Sequence, residues 1–346
     1  MKIWQKLSRI VPLFALLTLV LSGCGRDNLT ALVPKGEGAE INYSMMMISL
    51  YIMIGVLVVV FAIYTYVVIK YRKRPGQENV IPKQTEGNHL LELVWTVIPI
   101  ILLIILAIPT VITTFELAED YSKDENAVKI NVKAYLYWWD FEYPEYGVRT
   151  AQDLYMPTGE RVSIALTSED VIHSFWVPTL QGKMDNNPGE ENVMWISANE
   201  PGVYRGKCAE LCGVSHALMD FKVIALDRPE FDKWIEAMQA PPKEMTTPLA
   251  IEGQQLFESK GCIGCHAVGE QKFEMAGPNL KNFGEREVVA GILYYENEQE
   301  QRDQIANWLI NTMELKPGNK MGKQVLTQDE VDALVEYLIN LKVLED

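Results

Sequence analysis

Apolar residues follow three patterns along this chain, and each predicts a different kind of element. Early on they run almost without interruption, from about Met45 to Ile69 and again from about Leu90 to Thr114. Each run exceeds the roughly 20 residues that a helix needs to cross a bilayer. Pro99 and Pro109 fall inside the second run, which a spanning helix tolerates when neighbouring groups satisfy the freed backbone. Beyond Ala127 apolar and polar residues alternate, as in Val128-Lys129-Ile130-Asn131-Val132-Lys133 and Arg161-Val162-Ser163-Ile164-Ala165-Leu166, the period of half-buried strands. Turn signals recur at Pro157-Thr158-Gly159, Asn187-Pro188-Gly189 and Glu200-Pro201-Gly202, so residues 115–238 read as an all-β sandwich or barrel. The segment 239–249 is rich in proline and has no apolar period, which marks a semi-rigid linker. Residues 250–346 have the size of a small helical domain, with helix-like stretches over Arg302–Thr312 and Asp329–Leu341. The chain is expected to be a multidomain membrane protein, with a two-helix transmembrane hairpin, an all-β domain and an all-α domain.

A shorter apolar run, Ile10–Leu21, follows the basic residues Lys2, Lys6 and Arg9, the layout of a secretory signal. It ends in Leu21-Ser22-Gly23-Cys24. This resembles a bacterial lipoprotein cleavage box and implies removal of residues 1–23 and lipidation of Cys24, leaving 24–44 as an extracytoplasmic segment before the spans 45–69 and 90–114. Between the spans, residues 70–89 carry five basic residues against Glu78 and Glu86. The positive-inside rule places this loop in the cytoplasm. Both ends of the hairpin, and everything after Phe115, then face outward from a bacterial plasma membrane. The net charge of -15 argues against nucleic-acid binding, which wants basic surface, and is compatible with docking of a basic protein.

Candidate chemistry lies in the two soluble domains. The stretch Cys208-Ala209-Glu210-Leu211-Cys212-Gly213-Val214-Ser215-His216-Ala217-Leu218-Met219 places two thiols, an imidazole and a thioether within twelve residues. So soft a donor set selects copper or zinc over magnesium or calcium, and the thioether favours copper. The chain has four His, and His173, in Val171-Ile172-His173-Ser174-Phe175-Trp176, is the further donor in the same region. A Cys208–Cys212 disulfide, a zinc site, or Met219 as simple core filling are the competing readings. In the last domain Cys262-Ile263-Gly264-Cys265-His266 has the spacing of c-type haem attachment, two thiols for thioethers and an adjacent proximal His. A methionine as sixth ligand suits an electron-transfer cytochrome, and Met275, Met313 and Met321 are the candidates. With Cys24 in the leader, no cysteine is left over for a structural disulfide.

These stretches together resemble a known family. Cys-x-x-x-Cys-x-x-x-His-x-x-Met, with an upstream His-Ser-Phe-Trp-Val-Pro, is similar to the copper A motif of subunit II of haem–copper cytochrome c oxidases, over nearly all of residues 40–238. The resemblance implies a cupredoxin-like Greek-key domain and a binuclear copper centre bridged by Cys208 and Cys212, with His173, His216, Met219 and the backbone carbonyl of Glu210 as the other ligands. It implies a magnesium ion held by the Glu210 side chain together with subunit I, with Asp185 a weaker candidate. It also puts Glu92 at the mouth of a proton pathway into subunit I, although a carboxylate favourable to a helix N-terminus is the plainer reading. Lys316-Pro317-Gly318-Asn319-Lys320-Met321-Gly322 resembles the Met loop of class I cytochromes c and singles out Met321. Gly277-Pro278-Asn279-Leu280 resembles the segment whose proline carbonyl supports the proximal His.

The joined arrangement is similar to bacterial caa-type oxidases, in which a cytochrome c is fused to subunit II. The implied function is electron entry: through the fused haem c to copper A and on to subunit I, where oxygen is reduced to water with proton pumping. The oxygen-reducing site lies outside this chain, and an external cytochrome c is a candidate donor. Tyr137 departs from the family pattern, because it stands where an exposed Trp accepts electrons from soluble cytochrome c. A copper A-containing subunit of a nitric oxide reductase is the alternative. A quinol oxidase subunit II should lack the copper ligands. A copper-storage or assembly lipoprotein, a different class, would have little use for a covalent haem.

Overall fold

Two long helices precede the soluble part, α1 (Glu37–Tyr71) and α2 (His89–Leu117). The computed structural model describes residues 25–76, 86–271 and 273–344 with a few positions outside them; the expected leader boundary and Cys24 lie outside the described residues. The most apolar stretch of each helix has nothing buried inside the protein, and Val58, Phe61, Leu103 and Phe115 are all more than half exposed. Leaving apolar surface in water costs about 25 cal/mol per Å², so lipid is the medium that fits both helices. The first turn of α1 is plugged into the soluble part. Lys35 N donates to Thr179 O (2.7 Å), Ala39 N donates to Leu180 O (3.0 Å), and the Glu37 carboxylate pairs with Arg161. Helix N-termini leave backbone N–H groups without partners, and the loop after β6 supplies an acceptor for one of them.

That soluble part is built from β1 (Lys129–Tyr135), β2 (Trp138–Tyr143), β3 (Val148–Ala151), β4 (Asp153–Pro157), β5 (Val162–Ser168), β6 (His173–Trp176), β7 (Met184–Asn186), β8 (Asn192–Ile196), β9 (Gly202–Cys208) and β10 (Asp220–Leu226). They form two five-stranded sheets, ordered β3-β2-β1-β5-β8 and β4-β10-β9-β6-β7. Pairing is antiparallel except between β1 and β5 and between β10 and β4, which gives the expected cupredoxin-like sandwich. The alternation in β1 has its physical reason here: Ile130, Val132 and Ala134 are buried while Lys129, Asn131 and Lys133 are not. Trp139, Phe141, Phe175 and Phe221 fill the space between the sheets, with ring centroids 4.7 to 6.0 Å apart. Aromatic clusters of this kind dominate core energetics.

Sequence patterning places residues up to 238 in β structure, and the end of that stretch differs. It forms α3 (Arg228–Gln239), whose buried residues Phe231, Trp234, Ile235 and Met238 share one face at helical spacing. Pro229 at its start suits a first helical turn. Trp234 stacks on Tyr155 at 4.1 Å, so the helix closes one end of the sandwich.

After an extended linker come α4 (Pro248–Ser259), α5 (Glu298–Leu315) and α6 (Gln328–Ile339), with a small hairpin of β11 (Val288–Val289) and β12 (Leu293–Tyr294). Thr247 caps α4, and Thr327 with Glu330 forms a capping box on α6. Helices α4 and α6 cross at Gly253, where a Cβ would lie 2.0 Å from the Ala333 carbonyl oxygen. Gly253→Ala should therefore destabilise this domain by about 1–3 kcal/mol, the usual range for overpacking. Denaturant titration read by the absorbance of the C-terminal domain checks this; an unchanged midpoint would mean that the helices separate freely.

The two soluble domains meet along a polar seam. Ser215 Oγ donates to Pro317 O (2.6 Å), Thr150 Oγ1 to Asn282 Oδ1 (3.1 Å), Lys133 pairs with Glu274 (2.8 Å) and Lys222 with Glu287 (3.1 Å). Lys281, buried in the C-terminal domain, donates to the Met238 carbonyl at 2.5 Å and so pins the start of the linker.

Candidate functional site

The soft donors come together where β6 and β9 pair. Their register sets Phe175 opposite Cys208, which brings the start of β6, with His173, to the end of β9. The loop after β9 then doubles back through a short helical turn at His216–Leu218 before β10 begins. Cys208 Sγ lies 3.9 Å from His173 Nδ1 and 3.9 Å from Cys212 Sγ, while Cys212 Sγ lies 3.6 Å from His216 Nδ1 and 3.9 Å from Met219 Sδ. The Glu210 carbonyl oxygen is 3.2 Å from Cys208 Sγ. The other four sequence-predicted donors, His173, the Glu210 carbonyl, His216 and Met219, thus surround the two sulfurs. The sulfur separation is nearly twice the about 2.05 Å of a disulfide, and both cysteines are free.

The electrostatics suit a metal. Hydrogen bonding from Cys212 brings the Cys208 thiol down to about 3, with help from His173 and the backbone at Ser174 and Glu210. The same bond, together with burial, raises Cys212. One proton is shared by two sulfurs, and the thiolate is the form that ligates metals. Burial alone would lower His173, but the Asp170 carboxylate and the Cys208 sulfur overcome it and raise the imidazole. A set of two thiol sulfurs, two imidazoles and a thioether, buried apart from the half-buried His216, fits copper better than zinc or a hard cation.

Asp170 was not legible from the motif. Its Oδ1 lies 2.9 Å from His173 Nε2, fixing the ring so that Nδ1 faces Cys208, as carboxylates behind ligand histidines do. It also accepts from Leu136 N and Val171 N at 2.9 Å each and pairs with Lys320 of the C-terminal domain at 3.4 Å. The carboxylate lying three residues before a ligand His is the signal that could have found it. Asp170→Asn should weaken copper binding about 10–100-fold, the range for such outer partners. Copper titration of the reduced, metal-free chain checks this, and unaltered affinity would leave Asp170 with a docking role alone.

The second site lies in the C-terminal domain. Cys262 begins a short helical turn after Gly261, whose φ of 81° is left-handed and favours glycine. His266 Nδ1 lies 2.9 Å from the Pro278 carbonyl oxygen, which leaves Nε2 free to face an iron. Burial lowers the His266 imidazole below its ordinary value, keeping it in the neutral, ligating form. Gly277 is a cradle: a Cβ there would lie 2.6 Å from His266 Cε1. A cavity opens beside these residues, lined by Cys262, Cys265, His266, Leu280, Phe283 and Met321 among others. Met321 is the methionine among the described lining residues; Met275 and Met313 do not line it. Among the described lining residues there is no carboxylate, whereas Arg286 and Lys316 are there, and the buried Arg286 Nε has no hydrogen-bond partner among the described residues. An apolar cavity with two thiols, an imidazole, a thioether and spare buried cations fits a haem and its carboxylates.

The remaining predicted residues stand apart. Glu92 occupies the first turn of α2, 3.4 Å from His89 Nδ1, after the capping residue Asn88. The Glu210 carboxylate accepts from Leu211 N at 3.2 Å, and among the described residues the cluster of His, Cys, Asp and Glu donors that assembles is that of His173, Cys208 and Cys212. Tyr137 is 5% exposed, because the C-terminal domain covers it. It packs between Gly213 of the Cys208–Met219 stretch and Gly318 of the Met321 loop, whose Cβ positions would lie 2.5 and 3.3 Å from its side chain. It also lines the haem cavity.

Family models described as the periplasmic and transmembrane domains of cytochrome c oxidase subunit II match residues 148–226 and 35–112, and one described as cytochrome c matches 250–342. A cytochrome c oxidase subunit 2 of Alkalihalophilus pseudofirmus is 50% identical over 350 residues, covering all of both chains. One from Bacillus sp. (strain PS3) is 49% identical, covering 97% of this chain and 98% of the relative. A quinol oxidase subunit 2 of Bacillus cereus is 34% identical but covers 71% of this chain and 84% of the relative. Half identity sustained across hairpin, β domain and C-terminal domain settles the kinship: the chain belongs to the cytochrome c oxidase subunit II family.

Proposed function

We propose that this chain is the electron-entry subunit of a haem–copper terminal oxidase. The observation that carries the reading is the shared seam: Tyr137 walls the haem cavity on one side and on the other packs against Gly213, the residue after Cys212 in the chain. Electrons enter at the C-terminal domain, cross the seam to the β domain and leave for subunit I, where oxygen is reduced. When bound, the haem and copper supply reversible one-electron chemistry, and the protein supplies placement and electrostatics.

Cys262 and Cys265 would attach the haem through thioethers, with His266 and Met321 as axial ligands. Cys208 and Cys212 would bridge two coppers, completed by His173, His216, Met219 and the Glu210 carbonyl. We place the β domain at 115–238 and the haem domain at 250–346, both on the outer face of the membrane. Glu210 would share a magnesium ion with subunit I, and Glu92 would sit at a proton entrance. An external cytochrome c would deliver electrons at an exposed part of the haem domain, since the face toward Tyr137 is covered.

Relatives matching the whole chain carry the oxidase name, which favours oxygen over nitric oxide as the final acceptor. A storage role fits poorly with copper donors that are buried and locked beside a haem cavity. Metal and haem counts on the purified chain, with electron paramagnetic resonance, test the reading. The expected result is two coppers sharing one unpaired electron and one covalent haem. One copper, or zinc, would sink the copper A assignment.

A further inference from the structure

Lys316 follows α5 and is 3% exposed. Its ammonium makes one hydrogen bond, to the Ala290 carbonyl at 2.9 Å, and it has no ion-pair partner among the described residues. A lysine ammonium carries three donors, so two are unspent. A buried charge without a counter-charge is costly; burial pushes this one down to about 7, against the pull of Asp220 and Cys212. Of the other cations at the cavity, Arg286 Nη2 already donates to Asn279 O (2.7 Å) and Asn282 Oδ1 (3.2 Å) although its Nε is unpaired, Lys320 pairs with Asp170 and Lys260 with Glu330. The haem motif does not account for Lys316, yet it lines the haem cavity.

The C-terminal domain does not close that cavity alone. Tyr137, Trp138 and Gln152 of the β domain line it too. Gln152 has a left-handed φ of 66°, a conformation that costs about 1–3 kcal/mol and persists only when the surroundings fix it. Four hydrogen bonds do so: its backbone bonds to Trp139 O and Lys222 N, and its amide bonds to Trp139 N and Asp220 O, at 2.9 to 3.1 Å. From the opposite domain Gly291 presses on this residue, with a virtual Cβ 2.2 Å from Gln152 Nε2.

We infer that the haem site is shared between the two domains: the β domain supplies one wall through Tyr137, Trp138 and Gln152, and Lys316 binds a haem carboxylate at the seam. This rests on the haem reading above. An ionised carboxylate is the missing partner for a buried ammonium with two free donors, and haem brings two. The pair neutralises itself where water is excluded, and it links the redox equilibrium of the haem to the docking of the domains. Without the ammonium, the carboxylate would favour the oxidised, more positive iron.

The test uses the full chain in its assembled complex. A haem count by mass comes first, and absence of covalent haem would overturn the haem reading itself. With haem attached, resonance Raman reports hydrogen bonding to the haem carboxylates, and a redox titration reports the midpoint. Lys316→Met, similar in length and uncharged, should shift the carboxylate band and move the oxidation equilibrium about tenfold toward oxidised iron, about 59 mV for one electron. Lys316→Arg should restore both. Unchanged band and midpoint in the Met variant would overturn the pairing while leaving the haem reading intact. Gly291→Val, which wedges the seam outside the ligand set, should lower the midpoint in the same direction; no change would overturn the shared wall. If the Met variant does not assemble, the wild-type band still decides, since a frequency typical of water-exposed carboxylates refutes the pairing.

Discussion

Cys212→Ser is expected to abolish the copper centre and leave the haem spectrum in place. Cys212 is the most connected donor of the cluster, touching Cys208, His216 and Met219. A serine hydroxyl is a hard donor that stays protonated near neutral pH, so neither the bridge nor the soft character survives. Loss of an outer partner already costs about 10–100-fold in metal affinity, and loss of a bridging ligand should exceed the upper end of that range. The haem should stay attached, because Cys262, Cys265 and His266 lie in the C-terminal domain, which has its own apolar core built around Phe257, Leu334 and Leu338. Metal analysis and electron paramagnetic resonance read the copper, and visible absorption reads the haem. Two coppers with an unaltered spectrum in the variant would show that Cys212 is not a bridge.

What the sequence disclosed and what it hid divide along a physical line. The copper donors lie within one loop apart from His173, and the haem thiols lie within five residues, so their chemistry appears as spacing. The membrane helices are legible because lipid demands long unbroken apolar runs. β1 and β5 are legible because a half-buried strand must alternate. Gln152 and Lys316 act through partners far away in the chain, and no local pattern announces them, whereas Asp170 stands three residues before His173 and only its contacts to Leu136 and Lys320 are distant. The helix α3 carries its own signals, since Asp227-Arg228-Pro229-Glu230 interrupts the apolar run of β10 and Phe231, Trp234, Ile235 and Met238 share one helical face, but a β reading carried on to residue 238 passes over them. Tyr137 is the instructive case. From the motif alone it is an aromatic residue of the wrong type at an electron-accepting surface. With the domains in contact it is a buried residue between two ligand loops, so an external donor would have to reach another face.

Met321→Ala should keep the haem covalently attached yet lower its potential. Thioethers formed at Cys262 and Cys265 would not depend on the sixth ligand, and His266 remains held by the Pro278 carbonyl. The loop should also survive truncation, since its bonds come from main-chain atoms: Met321 N donates to Asn319 Oδ1 (2.9 Å), Gln324 Nε2 to Met321 O (3.1 Å) and Thr312 Oγ1 to Gly322 O (2.6 Å). What disappears is the thioether, the ligand that raises the potential of cytochromes c. A fall on the order of 100 mV or more is expected, within the roughly 0.8 V that axial ligands command. Met313→Ala is the control, because Met313 is 45% exposed and lies outside the cavity lining. The fall has opposite consequences at the two ends of the chain. Transfer from haem to copper becomes more favourable, while reduction of the haem by any outside donor becomes less so, and turnover should be limited at entry. A redox titration beside single-turnover reduction separates the two. An unchanged potential in Met321→Ala, with a fall in Met313→Ala, would move the axial ligand from the loop to the end of α5.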